Sequence, residues 1–180
     1  HKFGVAQRSK LWAKSSISPH VLVMTATPIP RTLAMTAYGD LDCSVLDELP
    51  PGRKEIKTVH RTDSNRLAVH NFIEKQILEG RQIYVVYPLI EESATLDHKD
   101  LMDGYESLTR RFPLPKFRIG VVHGRMKPED KEIEMQRFAK GVTQILVATT
   151  VIEVGVNVPN ASLMVIESAE RFGLSQMHQL

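Results

Sequence analysis

Cysteine is almost absent from this sequence: Cys43 stands alone in 180 residues. That excludes a disulfide framework and a cysteine-based zinc cluster, and it fits a reducing compartment. No apolar run approaches the length of a membrane span, and no signal peptide is visible. The charge excess is only +2, so no global basic field advertises a polyanionic partner. Any polyanion site must be a local cluster. Repeats and low-complexity segments are missing as well. What is present is a 42% hydrophobic fraction, enough for a packed core, with an average 24% of charged residues. The length suits one large domain or pieces of two. The chain opens at His1 and stops at Leu180 without a helix-stop signal, as expected of an excised fragment.

The organising stretch is Val147 to Pro159. It opens on the apolar run Gln144-Ile145-Leu146-Val147-Ala148, long enough for one strand buried on both faces. Thr149 and Thr150 stop the run. Gly155 and Pro159 bracket a turn before a second apolar run, Leu163-Met164-Val165-Ile166. Hydroxyls and unsatisfied amides at a strand end suit a phosphate oxygen. An ordinary strand-to-loop edge reads equally well from these residues alone.

Taken in order, residues 5–14 read as the end of a helix, and Val21–Met24 as a buried strand. Thr25 to Thr32 carries Pro28 and Pro30, which fit a tight exit into a helix running through Tyr38. Ser44-Val45-Leu46 reads as a short strand. Pro50-Pro51-Gly52-Arg53-Lys54 is stiff and polar, and marks the clearest boundary. Beyond it, Lys57–His60 reads as a strand. A helix capped by Asp63 or Ser64 follows, with an apolar stripe of Leu67, Val69, Phe72, Ile73 and Ile77, closed at Gly80. Ile83–Tyr87 is a strand closed by Pro88. Glu91 to Asp100 reads as a solvated loop and Leu101–Phe112 as a helix. Phe117–Val122 is a strand that ends at His123-Gly124. Pro128 starts a helix whose buried side is Ile133, Met135, Phe138 and Ala139, closed at Gly141. Arg110, Arg111, Lys116 and Arg118 form a basic run beside an acidic one and read as a solvated face.

Alternating strands and helices predict an α/β fold with a mostly parallel sheet covered on both faces. Ligands of such sheets bind at the carboxyl ends of the strands. Pro88, His123-Gly124 and Thr149-Thr150 all lie just past a predicted strand end and share one edge.

Several of these runs resemble the motifs of superfamily 2 helicases, in order and along the whole chain. Thr25-Ala26-Thr27-Pro28-Ile29-Pro30-Arg31-Thr32 is similar to the third motif, in the form carried by the RecG family and the transcription-repair coupling factors. His1-Lys2-Phe3-Gly4-Val5 resembles the tail of the DExH box. His123-Gly124-Arg125-Met126 resembles the nucleic-acid-contacting turn of the second motor lobe, and Val147 to Pro159 the fifth motif. Ser175 to Leu180 resembles the lead-in to the sixth. Tyr87 to Ser93 and the Lys127-Pro128-Glu129 helix start favour the RecG family.

The resemblance implies RecA-like lobes of the P-loop NTPase type. Residues 1–50 would be the end of the first, ATP-binding lobe and 53–180 most of the second, truncated before the arginine motif. It implies an ATP- and Mg2+-dependent DNA helicase that remodels branched DNA, such as replication forks and Holliday junctions, in recombination and repair. The expected setting is the bacterial cytoplasm, with DNA as partner and no membrane. Thr25, Thr27 and Arg31 would couple nucleotide state to DNA, although Arg31 reads more simply as a helix-surface residue. His123, Gly124, Arg125, Thr149 and Thr150 would hold the DNA backbone. Gly155 and Asn157 would lie near the nucleotide, with Asn157 where the family commonly has Asp, so an acceptor is kept and a charge dropped. No Gly-x-x-x-x-Gly-Lys-Ser/Thr run occurs, and the acidic pair and the arginines would lie outside the chain. The fragment alone is therefore expected to hydrolyse no ATP and to hold no cofactor or metal. The alternatives are a coupling-factor translocase acting on stalled RNA polymerase and a non-catalytic RecA-like interaction module. Residues 1–50, separated from their sheet partners, are expected to pack on another copy of the chain or to be less ordered.

Overall fold

The computed structural model describes residues Leu22, Met24, Ser44, Leu46, Glu48, 55–88, 94–149 and 158–180. The backbone divides into two compact units, with the boundary between Lys54 and Glu55. The helices and strands below belong to the second, the final helix up to His178. The expected helices over 5–14 and 30–38 lie outside the described residues.

The described elements are α1 (Arg66–Leu78), β1 (Gln82–Tyr87), α2 (Ala94–Arg111), β2 (Ile119–Val122), α3 (Pro128–Ala139), β3 (Ile145–Thr149), β4 (Ala161–Ile166) and α4 (Leu174–Gln179). The strands form one four-stranded sheet in the order β2-β3-β1-β4, and every pairing is parallel. Consecutive strands alternate their side chains between the faces. Ile83, Val85 and Tyr87 of β1 and Ile145 and Val147 of β3 therefore share one face. They pack there with Ile73 of α1, Leu101 and Leu108 of α2, and Phe112 and Phe117. Leu146, Ala148 and Val122 point to the opposite face, where Phe138 of α3 covers them. The central strand β3 is buried along its whole length, as a strand between two helical layers must be. The α/β fold with a parallel sheet covered on both faces is the one the sequence predicted.

Local chemistry explains the helix limits. Gly80 and Gly141 follow α1 and α3 at φ +81° and +74°, the left-handed conformation that favours glycine after a helix. Pro128 opens α3, with Glu129 and Asp130 in the first turn. Gly104 matters for a different reason. A Cβ there would run into the Tyr87 ring and hydroxyl, so glycine lets α2 lie close over the end of β1.

Some local expectations fail. Residues 57–60 form no strand, and all are exposed. Val59 is the one apolar side chain there, too little to hold a strand on a sheet. Residues 94–100 are helical instead of looped. The apolar spacing of Leu101, Tyr105, Leu108 and Phe112 extends back three residues to His98, so the helix gains a contact face by continuing. On α1 the buried stripe is Val69, Ile73 and Ile77, an i, i+4, i+8 row. Leu67 and Phe72 lie off it and are exposed. Ile133 and Ala139 likewise face solvent on α3. Leu22 and Met24, expected in a buried strand, are 81% and 83% exposed and lie in none, and Leu46 is 98% exposed. No ladder among the described residues supplies them with backbone partners. The basic run behaves as a solvated face: Arg111 pairs with Glu74 at 2.7 Å, and Lys116 reaches the same carboxylate at 3.5 Å.

Candidate nucleic-acid interface

All strands run the same way, so their carboxyl ends form one rim. Helices α1 and α2 flank β1 in the chain, and α2 and α3 leave β1 and β2 at this end. The first turns of α2 and α3 therefore lie at the rim, together with the start of α1. Helix starts present free N–H groups and the positive end of the helix dipole, a setting that favours anions.

The register sets the details. Tyr87 stands opposite Thr149, and Val122 opposite Ala148. One step past β2, His123 therefore falls level with Thr149 on the α2 side of the sheet. The sequence placed Pro88, His123-Gly124 and Thr149 at one edge, and the strand order brings those segments together there. Thr25, Thr27, Arg31, Thr150, Gly155, Asn157 and His1 lie outside the described residues.

Thr149 differs from the open hydroxyl the sequence suggested. It is still the last rung of β3, its side chain lies under α2, and it is 2% exposed. Among the described residues its Oγ1 has no hydrogen-bond partner. Tyr87 beside it is pushed up to about 12, chiefly by burial and then by the charge of Glu167. His123 is half-buried, and its Nδ1 accepts the Arg125 backbone N–H at 3.3 Å. Its imidazole titrates below the usual histidine range. Burial is the main cause, helped by His98, Lys131 and Arg125. Gly124 and Arg125 form an exposed turn, and Lys131 donates to the Gly124 carbonyl at 3.3 Å, which fixes that turn against the start of α3.

One rim residue escaped the sequence reading. His98, from the second turn of α2, sets its ring 4.7 Å from that of His123, at 60°. Its Nδ1 is buried with no partner among the described residues. The signal was there: His98 stands three residues before Leu101, in line with the helical stripe. Further along the rim, Arg66 at the start of α1 spans Asp63 at 2.9 Å and both Glu167 oxygens at 3.2 Å. The Asp63 hydrogen bond leads the causes that raise its pKa. Arg171 meets Asp100 at 3.2 Å. Among the described residues no group of three His, Cys, Asp or Glu side chains could hold a metal ion, and no helix is long and apolar enough to cross a membrane.

A parallel sheet with helices on both faces fits a RecA-like α/β lobe. Residues 65–180 match the helicase conserved C-terminal domain family, and the chain belongs to that family. Over its full length it is 54% identical to the ATP-dependent DNA helicase RecG of Synechocystis, 54% to that of Escherichia coli K12 and 49% to that of Thermotoga maritima. It spans 21%, 26% and 23% of those proteins. A solved structure of RecG bound to a three-way DNA junction superposes with a TM-score of 0.68 at 46% identity, over 86% of this chain and 20% of that one. The sequence is thus of the RecG type.

Proposed function

We propose that this chain is the DNA-tracking part of an ATP-dependent helicase that remodels branched DNA in recombination and repair, working in the bacterial cytoplasm. The observation that carries the reading is the full-length identity of about half to RecG proteins. Residues 1–50 then belong to the end of the ATP-binding lobe, and 53–180 to the second lobe. Gly124, Arg125 and His123 grip the sugar-phosphate chain at the rim through N–H groups and a guanidinium. Thr149 and Thr150 contribute main-chain contacts beside them. Thr25, Thr27 and Arg31 couple DNA to nucleotide state, and Gly155 and Asn157 lie near the nucleotide. The exposed Leu22, Met24 and Leu46 favour contact of residues 1–50 with another chain copy.

Phosphoryl transfer depends on positioning and neutralising charge. In the whole protein, ATP and Mg2+ are bound by a phosphate-loop lysine, a carboxylate pair and arginines that these 180 residues do not supply. The part assigned to the residues here is to grip and orient DNA. Backbone grip makes binding insensitive to base sequence and sensitive to salt. With about three phosphates neutralised, log affinity falls against log salt with a slope near −3, at about 0.9 per contact. Fluorescence anisotropy of a three-way junction titrated with the 180-residue chain at several salt concentrations measures this. A flat salt response, or preference for one base sequence, would sink the reading. Magnesium-dependent ATP turnover by this chain alone would overturn the division of labour between the lobes.

A further inference from the structure

We propose that His98 is a further phosphate-contacting residue, which together with His123 binds a phosphate oxygen of DNA and takes up one proton on doing so. The inference rests on the reading of this rim as the DNA-backbone site. Three observations point to it. The imidazoles of His98 and His123 lie 4.7 Å apart, although they come from different elements. The buried side-chain atoms without a hydrogen-bond partner among the described residues are His98 Nδ1 and Thr149 Oγ1. Register puts Thr149 level with the start of the His123 turn on the side of the sheet that α2 covers. A buried polar atom without a partner is costly, and natural structures keep few of them. Two in one small region mark a place where something else supplies the hydrogen bond.

The electrostatics select an anion. The groups facing the His123 ring are His98 from α2, Lys131 from α3 and Arg125 from its own turn. All are cationic or become so. Together with burial they hold His123 neutral at neutral pH. A phosphate oxygen placed against the two rings reverses the balance, because an adjacent negative charge favours the imidazolium. One proton then comes from solvent onto the imidazole pair and leaves when the phosphate leaves. No covalent bond changes. In a tracking lobe this makes the hold on DNA stronger at lower pH.

For one proton taken up, affinity rises about tenfold per pH unit at most, in the window between the free and bound midpoints. The test is anisotropy of a fluorescein-labelled oligothymidine with the 180-residue chain at fixed ionic strength from pH 8 to pH 5.5. The parent is expected to bind several-fold more tightly per unit of acidification, and His98→Gln to lose most of that slope while still binding at pH 8. Equal slopes in both proteins overturn the role of His98 and leave the DNA reading standing. Absence of binding by the folded parent at every pH overturns both. Histidine ring NMR of the unaltered chain provides a check that needs no variant. Oligothymidine should raise the titration midpoint of His123 and shift the ring resonances of both histidines. An unmoved midpoint, or one moved by inorganic phosphate and not by oligothymidine, refutes the proposal.

Discussion

The two ends of the sheet are built on opposite principles. At the amino ends, side chains tie segments together. Gln82 is 4% exposed, and its Nε2 donates to the carbonyls of Phe138 and Thr143 at 2.5 and 2.9 Å. That clips the end of α3 and the loop after it to the start of β1. Asn160 donates to the Gly80 carbonyl at 2.7 Å, and Gln144 Oε1 accepts the Arg118 N–H at 2.8 Å. At the carboxyl ends, Thr149 Oγ1 and His98 Nδ1 are buried with no partner among the described residues, and His123 there titrates below the usual histidine range, chiefly through burial. Both ends use the same kinds of polar atom. The difference teaches where stability and where binding reside: satisfied buried groups hold a fold together, and unsatisfied ones lower stability until a partner arrives.

Breaking the amino-end clip should have the largest effect. Gln82→Ala leaves two carbonyls in a buried region without their donor and is expected to cost about 2–3 kcal/mol in urea unfolding. A loss under ~0.5 kcal/mol would show that the clip is dispensable. Next comes the contact that seats α2 over the carboxyl end. Gly104→Ala gains helix propensity but drives a methyl into Tyr87, for an expected net loss of about 1–2 kcal/mol. Combined with Tyr87→Ala it should cost less than the two single losses added together, because truncating the ring removes the clash. Strict additivity would mean that Tyr87 and Gly104 do not constrain each other.

At the carboxyl end the sign should reverse. Thr149→Val removes a buried hydroxyl that has no partner among the described residues, so unfolding free energy should stay level or rise by ~0–1 kcal/mol. A clear destabilisation would show that the hydroxyl is already satisfied in solution. The smallest effect is expected from pH. His70 and His123 both titrate below the ordinary 6.5. Burial is the first cause in each, followed by Arg66 and Arg111 for His70. The unfolded chain therefore binds more protons than the native one between those lowered values and 6.5. Stability is full above that window and falls as pH drops through it. Thermal melts from pH 7.5 to pH 5 should show the decline, and His70→Gln together with His123→Gln should flatten it.

Much of the α/β layout was legible because long apolar runs bounded by turn residues have few alternatives. Ile83–Tyr87 and Ile145–Ala148 are too apolar to be anything but central strands, and Pro128, Gly80 and Gly141 punctuate helices wherever they occur. The failures share a cause. Residues 57–60 and the described Leu22 and Met24 lie in no strand although the sequence read them so; a strand exists only where a neighbour completes its ladder, and nothing in a short window reports that neighbour. The acidic stretch before Asp100 looked solvated because its charges dominate the local average, yet the helix runs from Ala94 and half-buries His98. That error hid His98, the residue that faces His123.

By itself the sequence determined the parallel sheet, the helix limits at Pro128, Gly80 and Gly141, and the motifs that carry the helicase resemblance. These depend on local periodicity and on backbone angles available to particular residues. Only the tertiary structure decided that α2 begins before His98, that Thr149 is buried, and that the His98 ring faces His123 just past β2 at the rim where β3 ends. Such meetings depend on strand order and register, which arise from packing between residues far apart in the chain.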